Sequence, residues 1–205
     1  MVASIIDSRV SAQCDLSRVS TASLINRTKR CLRRYGVDLA IGGIDFSFNE
    51  DQRGKFAPHW SLHLWLILPS QNQDRWEPAL RTQNPPSEAT PKPVVIRDWD
   101  RRNNALAYAL KTTFYRRDSI HSKKQSRKRP TRNTNHQDLR VAEKIPLYCC
   151  LDAIGLHSRL FLLGVRPTTT DRGIRLVELR KSVKSAMRTQ TSHLRPQTLP
   201  MRRKQ

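Results

Sequence analysis

Two neighbouring stretches of the chain alternate apolar and polar residues, as strands with one buried face do. Within Val37–Phe48 the alternating apolar residues are Ile44, Phe46 and Phe48. Within Pro58–Pro69 five apolar residues occupy every second position, namely Trp60, Leu62, Leu64, Leu66 and Leu68. A polar turn over residues 50–55 separates the two stretches, so we predict a β-hairpin.

The opposite face of the second predicted strand carries His59, Ser61, His63 and Trp65. We expect a hairpin register that places Asp45 opposite His63 and Asn49 opposite His59. A slip of one residue would turn these side chains to different faces, so the register decides whether they meet.

The segments around the hairpin add helices and one more strand. A loose helical pattern runs from about Leu16 to Arg34, and a proline-rich connection over 69–93 contains a short helix near 74–82. Val94–Trp99 is typical of a strand, and an Ala- and Leu-rich helix is predicted from about Arg101 to Tyr115. The pattern indicates an α+β fold with an antiparallel sheet flanked by helices.

The second half of the chain is harder to assign. In the block from Leu139 to Val165, Pro146 suits the first turn of a helix and Gly155 suits its end. A helix-turn-helix over Leu147–Leu163 is the alternative to a core helix followed by a strand. We divide the chain into an N-terminal basic helix (1–36), a core (37–117), a basic disordered loop (118–138), a small C-terminal α/β or helical unit (139–187) and a basic tail (188–205).

The charge of the chain points to its partner. Lys and Arg number 38 against 17 Asp and Glu, a formal net charge of +21, which predicts a polyanionic partner. The longest apolar run, Trp60–Pro69, is about half of the roughly 20 residues that a membrane-spanning helix needs, so nucleic acid is favoured over a membrane. Asp7 and Arg9 interrupt the N-terminus before a signal-peptide core forms, and we expect a cytoplasmic protein.

The cysteines do not suggest a metal site. Cys14, Cys31, Cys149 and Cys150 lack the C-x-x-C spacing with which two thiolates bind one metal ion. We interpret them as reduced, structural residues.

Side chains suited to phosphodiester chemistry lie on the polar face of the hairpin and on the helix after it. Asp45, His63 and His59, together with phosphate oxygens, could hold Mg²⁺ or Mn²⁺, which would stabilise charge on a phosphodiester during displacement. Tyr108 could act as the nucleophile. Lys111, one helical turn further on, could favour the phenolate or hold the leaving group.

Three segments in this order, Gly43–Phe48, Pro58–Ile67 and Ala107–Thr112, resemble the three motifs of rolling-circle replication initiators of plasmids and phages, members of the HUH endonuclease superfamily. The resemblance covers roughly residues 37–117. It implies a central antiparallel sheet flanked by helices, a metal held by histidines on a middle strand, and nicking and rejoining of single-stranded DNA by a helical tyrosine in replication or transposition.

The chain departs from that family at the histidines. The family separates its two histidines by one bulky residue, whereas His59 and His63 are four positions apart, about 13 Å along a regular strand. Without a bulge the two cannot bind one ion. Either the metal site is assembled differently or this member has lost its activity.

A set of basic residues after the predicted helix completes the candidate sites. Six basic residues fall within 123–132 without one apolar residue, a composition that cannot compensate its ordering entropy and favours non-specific phosphate binding. A nuclear localisation signal is the alternative for this run. The predicted nucleic-acid contacts are Arg116, Arg117, Lys123, Lys124, Arg127, Lys128, Arg129 and Arg132.

Three functions remain open from the sequence. The first is an initiator-like protein that binds single-stranded or locally melted DNA and cleaves it through Tyr108. The second is a non-enzymatic basic nucleic-acid-binding protein, including an inactive relative of the initiators. The third is a structural RNA-binding component similar to ribosomal proteins, which charge alone favours.

Overall fold

The chain has an α+β fold built around one mixed, largely antiparallel sheet, as the sequence predicts. A computed structural model describes residues 1–7, 16, 19–100, 111–122, 131–171 and 173–179. The helices are α1 (Thr21–Arg34), α2 (Gln73–Gln83), α3 (Val141–Ile154) and a 3₁₀ helix (Leu156–Arg159). The strands are β1 (Val2–Ile6), β2 (Ala40–Asp51), β3 (His59–Ile67), β4 (Val94–Arg97), β5 (Tyr115–Ser122), β6 (Thr131–Asp138), β7 (Leu160–Leu163), β8 (Val165–Thr170) and β9 (Gly173–Glu178).

The main sheet has the strand order β4-β1-β3-β2-β5-β6. Strand β2 is long enough to pair with two strands along one edge. Its first residues pair with β7 and its last residues pair with β5. The β2–β5 pairing is parallel, and the other pairings of this sheet are antiparallel. The hairpin of β2 and β3 therefore lies at the centre of the sheet.

The predicted register of the hairpin is confirmed. Asp45 pairs with His63 and Asn49 pairs with His59. The alternation fixes this register, since a slip by one position would turn the five apolar residues of the second strand out of the core. Those residues are all buried: Trp60, Leu62, Leu64, Leu66 and Leu68.

Two helices supply the opposing half of the core. Leu24 and Leu32 of α1, with Trp76 and Leu80 of α2, are fully buried in one cluster with the apolar sheet residues. Helix α1 begins at residue 21, later than the sequence suggests, because the Ser20 hydroxyl accepts a hydrogen bond from the Ser23 amide at 3.1 Å.

The sequence pattern does not predict the first strand, β1. It pairs with β3 on one side and β4 on the other, and its Ala3 and Ile5 are fully buried. Its five residues are too few to show a clear alternation. The predicted strand at Val94 and the predicted short helix near 74–82 are confirmed as β4 and α2.

The prediction of a helix from Arg101 to Tyr115 is wrong at its end. Residues 111–114 are not helical, and Tyr115 begins β5; residues 101–110 lie outside the described part of the chain. The prediction of a disordered loop over 118–138 is also wrong for 118–122 and 131–138, which form strands. The backbone hydrogen bonds of these strands come from pairing of β5 with β2 and of β6 with β5, which the composition of the segment does not indicate.

Helix α3 begins before the position that the sequence suggests. Pro146 lies inside the helix rather than in its first turn, and the helix starts where the Arg140 amide donates to the Glu143 carboxylate at 2.8 Å. It ends at Gly155, as predicted. The segment after it is a 3₁₀ helix and then β7, so the helix-turn-helix alternative is wrong.

The chain divides into two compact units, Met1–Val165 and Arg166–Gln205. The first contains the main sheet and its helices, including Leu147 of α3 and Phe161 of β7 in the core. In the second, β8 and β9 form a two-stranded sheet. No helix within the described ranges combines the length and apolarity that crossing a membrane requires.

Candidate functional site

The face of the main sheet opposite the core helices carries four of the predicted site residues, Asp45, His59, His63 and Arg117. Because partners in register share a face, β2, β3 and β5 place a polar set of side chains there. We call this surface the polar face; its members from these strands are Asp45, Ser47, Asn49, Asp51, His59, Ser61, His63, Trp65, Tyr115, Arg117 and Ser119. Strand β6 adds Thr134, His136 and Asp138.

Two adjacent clefts open on the polar face, with volumes of about 400 and 270 Å³. Both are lined by Ile6, His63, Arg117 and Thr134. The larger also contains Asn49, Ser61 and the exposed Lys92, and the smaller contains Trp65, Arg97 and His136. The polar face is therefore a concave surface with cationic side chains along its length.

His63 lies at the junction of the clefts and is almost fully buried. Its Nε2 is 2.8 Å from the Ser47 hydroxyl, and its Nδ1 is 3.3 Å from Nη1 of Arg117. A guanidinium only donates, so Nδ1 accepts from Arg117 and Nε2–H donates to Ser47. Burial, with the Arg117 charge as a second cause, holds the pKa of His63 well below its ordinary value, so the ring is neutral at physiological pH.

Asp45 is fully buried beside His63 and forms an ion pair with Lys111, whose Nζ lies 2.8 Å from its Oδ2. Burial raises the pKa of Asp45, and the charge and hydrogen bond of Lys111 oppose that rise. Lys111 therefore neutralises the carboxylate that the sequence assigned to a metal ion.

The position of Lys111 is set by Arg159 of the 3₁₀ helix. Arg159 donates from Nη2 to the Lys111 carbonyl at 2.9 Å and from Nε to the Ile44 carbonyl at 3.1 Å. Its guanidinium lies 5.2 Å from the ring centre of Phe114, and burial lowers its pKa. Arg159 was not among the predicted site residues. The feature of the sequence that marks it is its position directly before the apolar run of β7.

His59 is directed away from His63. Its Nδ1 lies 2.8 Å from the Ala57 carbonyl, and its ring packs edge-on against Phe56. Ser61 lies between the two histidines on the same face, where its hydroxyl accepts from Nδ2 of Asn49 at 2.9 Å. The structure thus brings Asp45 and His63 together without His59.

These contacts do not fit a metal ion. Both ring nitrogens of His63 are engaged by protein groups, Asp45 is paired with Lys111, and His59 bonds to the backbone. Across the described ranges, no three His, Cys, Asp or Glu side chains are grouped as metal ligands. The expected Mg²⁺ or Mn²⁺ site is not supported by this arrangement.

The two arginines predicted to bind phosphate face opposite sides of β5, because successive strand residues alternate. Arg117 lines both clefts, and no carboxylate of the described residues lies within ion-pair distance of it. Arg116 is buried on the other face, where it pairs with Glu50 at 3.2 Å and bonds to Gln137. Arg117 is therefore the one available for a ligand in the clefts.

Aromatic rings accompany these charges. Tyr115 and His136 stack on neighbouring strands with ring centres 5.7 Å apart and an interplanar angle of 18°. Nζ of Lys111 lies 5.2 Å from the Tyr115 ring centre. Burial, followed by the charge of Arg117, lowers the pKa of His136 and favours its neutral form.

The remaining predicted site residues fall outside the described part of the chain. Tyr108 lies within residues 101–110, and the basic run from 123 to 130 is likewise not described. The latter contains Lys123, Lys124, Arg127, Lys128 and Arg129. Of Arg132 only the backbone, in β6, is described. Cys31 is a buried free thiol, which fits the structural role predicted for it, whereas Cys149 is exposed and Cys150 half-buried; Cys14 lies outside the described residues.

Comparison with protein-family models, with curated proteins and with solved structures finds no match to this chain. The functional assignment therefore depends on the residues and contacts described above.

Proposed function

We propose that the protein binds single-stranded DNA along the polar face of its main sheet. The observation that carries this proposal is the joint placement of Arg117 and the stacked pair Tyr115–His136 on one sheet face whose opposite side is covered by helices. Cationic groups follow a phosphate backbone, and aromatic rings stack on unpaired bases.

The clefts give this surface a suitable size and charge. The larger cleft, about 400 Å³, is within the roughly 300–1,000 Å³ range of sites that hold a small organic ligand, and the smaller, about 270 Å³, lies just below that range. Arg117 contacts both clefts, and Lys92 and Arg97 lie one in each. A strand crossing the two clefts would therefore meet three cationic side chains, Lys92, Arg97 and Arg117.

Cleavage of the bound strand is the second part of the proposal, and it rests on the resemblance to the initiators. Tyr108 precedes Lys111 by three residues, and Lys111 is fixed at the polar face by Asp45 and Arg159. In the proposed step the Tyr108 oxygen loses its phenolic proton and attacks phosphorus, forming a P–O bond, while the bond from phosphorus to the leaving oxygen breaks and that oxygen takes up a proton. The phosphotyrosyl linkage conserves the bond energy for rejoining.

A non-enzymatic nucleic-acid-binding protein is the second candidate function. This candidate is favoured because the side chains that would take part in cleavage are already paired with other groups of the protein. Lys111 is occupied by Asp45, and both ring nitrogens of His63 are hydrogen-bonded. Such a protein would keep the DNA-binding surface without cleaving the strand.

Affinity for a fluorescent oligonucleotide tests the binding surface. The Arg117→Gln variant should bind single-stranded DNA about tenfold more weakly than the parent, as expected for loss of a charge-assisted phosphate contact. Arg75→Gln is the matched control, because Arg75 is an exposed arginine of α2. Equal losses in the two variants would refute a binding site on the polar face.

An adduct assay separates the two candidates. Single-stranded DNA incubated with the protein should become covalently attached, and Tyr108→Phe should abolish the attachment while binding is retained. Tyr148→Phe, at an exposed tyrosine of α3, serves as the control. Absence of an adduct in the parent protein, with binding intact, would support the non-enzymatic candidate.

A further inference from the structure

A second basic depression lies between α1 and α2, whose buried residues pack against the other face of the sheet. It has a volume of about 360 Å³, and we call it the α1/α2 groove. Its lining residues are Arg27, Arg30, Cys31, Arg34, Tyr35, Ala79, Thr82 and Gln83. Three of the eight are arginines and none is acidic, so the groove is a cationic site.

The helical spacing explains how three arginines of one helix reach the groove. Arg27, Arg30 and Arg34 are separated by three and four positions, which places them on one side of α1 over about 10 Å of its axis. The helix contains five basic residues and no acidic one, and Arg30 and Arg34 are exposed. No carboxylate of the described ranges lies within ion-pair distance of these two.

Arg27 lines the groove, and only one of its three guanidinium nitrogens is hydrogen-bonded. Its Nη2 donates to Asp7 at 2.9 Å and to Oδ1 of Asn84 at 3.3 Å, and the residue is 8% exposed. Its Nε and Nη1 are buried without a hydrogen-bond partner in the described structure. Both nitrogens are shielded from solvent, so Arg27 contributes its positive charge to the groove rather than two accessible donors.

We propose that the α1/α2 groove binds a phosphate group. A phosphate offers several acceptor oxygens and negative charge, which match the forked donors of Arg30 and Arg34 and the positive charge of Arg27. The Tyr35 side chain adds a ring and a hydroxyl at the rim. The phosphate belongs either to a nucleic-acid backbone or to a free nucleotide, and the groove recognises the chemistry that the two share.

This site is independent of the proposed strand-binding surface. The polar face uses strand residues such as Arg117, whereas the groove is formed by two helices. A failure of one proposal therefore leaves the other untouched, because different variants report on each.

The test compares three arginines of the same helix. The double variant Arg30→Gln/Arg34→Gln removes two groove residues, and Arg33→Gln removes an exposed arginine of α1 that does not line the groove. Each protein is titrated at fixed salt with three probes: inorganic pyrophosphate, dATP and a double-stranded oligonucleotide. We expect the double variant to bind at least one probe about tenfold or more weakly, and Arg33→Gln to lose less than about threefold.

The probe that responds identifies the source of the phosphate. Selective loss for dATP assigns the groove to a nucleotide, and selective loss for the oligonucleotide alone assigns it to a backbone. Equal weakening in Arg33→Gln and in the double variant, or no weakening in either, would overturn the site and leave only general charge attraction.

A measurement on the unmodified protein removes any dependence on folding of the variants. Pyrophosphate added to the parent protein should shift the side-chain Nε–H signals of Arg30 and Arg34, and that of the buried Arg27, in a ¹⁵N spectrum. A titration that moves the Arg33 signal but none of these three contradicts the proposal.

Discussion

Single residues decide what the polar face can do, and the Asp45–Lys111 pair is the clearest case. A buried carboxylate is costly unless a cation lies beside it, and the 2.8 Å contact with Lys111 provides that cation. The pair also explains how a carboxylate can lie opposite an imidazole in the centre of a sheet.

Replacing Lys111 by Met should therefore destabilise the fold by about 3 kcal/mol at pH 7, since it leaves the Asp45 charge buried without its partner. The deficit should shrink as the pH falls from 7 to 5. Burial already raises the pKa of Asp45, and loss of Lys111 raises it further, so protonation of the folded state relieves the buried charge.

Urea denaturation at both pH values measures this effect. The double variant Asp45→Asn/Lys111→Met is the control, because it removes the charge together with its partner and should recover much of the lost stability. A Lys111→Met variant as stable as the parent at pH 7 would show that the ion pair has no structural role.

His63 gives a second prediction, with the opposite sign. Its pKa is lowered in the folded state by burial, so below pH 6.5 the unfolded chain takes up a proton that the folded chain does not. The stability that a neutral His63 contributes is present above that pH and is lost as the pH falls.

The His63→Gln variant should accordingly lose less stability than the parent between pH 7 and pH 5, by at most about 3 kcal/mol, the limit for one proton over two pH units. His157→Gln, at an exposed histidine, should keep the parental slope. Urea midpoints across this range provide the measurement, and identical slopes for parent and His63→Gln would refute a neutral buried imidazole.

At the scale of elements, the central hairpin could be predicted from sequence and its neighbours could not. Strands β2 and β3 are adjacent in the chain, and each buries one face, so alternation alone fixes their register. Strand β5 pairs in parallel with β2 across more than sixty intervening residues, and nothing in its own composition marks that partner. Non-local pairing of this kind overrides the helical propensity that predicted a helix through residue 115.

The close approach of β2 and β3 predicts a strong effect at Gly42. A Cβ at this position would overlap the carbonyl oxygen of Trp65 on the paired strand, a backbone atom that cannot move aside. We expect Gly42→Ala to cost about 3 kcal/mol or more in the free energy of unfolding.

Gly54→Ala is the comparison for Gly42→Ala. Gly54 has a φ of +67° and open space around it, so alanine there should cost only about 1 kcal/mol through backbone strain. Thermal denaturation of both variants ranks the two costs. If Gly54→Ala proved the more damaging, the tight packing of the hairpin would be contradicted.

At the scale of the whole molecule, the net charge of +21 sets the conditions of binding. The affinity for single-stranded DNA should fall at least about tenfold between 50 and 200 mM salt, because each neutralised phosphate releases counterions. Arg117→Gln should lower the slope of log affinity against log salt by about one contact, and Arg75→Gln should leave it close to the parental value. An affinity that does not change with salt concentration would contradict binding through phosphate contacts.

The sequence identified the charge, the polar face and the pairing of Asp45 with His63, because these follow from composition and strand alternation. It did not identify Arg159 or the Asp45–Lys111 contact, since both depend on a 3₁₀ helix more than a hundred residues from β2. The groove between α1 and α2 was equally hidden, because helix spacing shows which arginines share a side but not which helix packs beside them.

The most direct test of strand binding on the polar face is ultraviolet crosslinking of the protein to a single-stranded oligothymidine, with the attached peptides identified by mass spectrometry. Trp65, Tyr115 and His136 carry rings on that face and lie at the surface or close to it. Crosslinks are expected in peptides containing these residues, and they should be lost in Arg117→Gln at a concentration that saturates the parent. Crosslinks confined to the helices or to residues 166–205, with none in β3, β5 or β6, would contradict it.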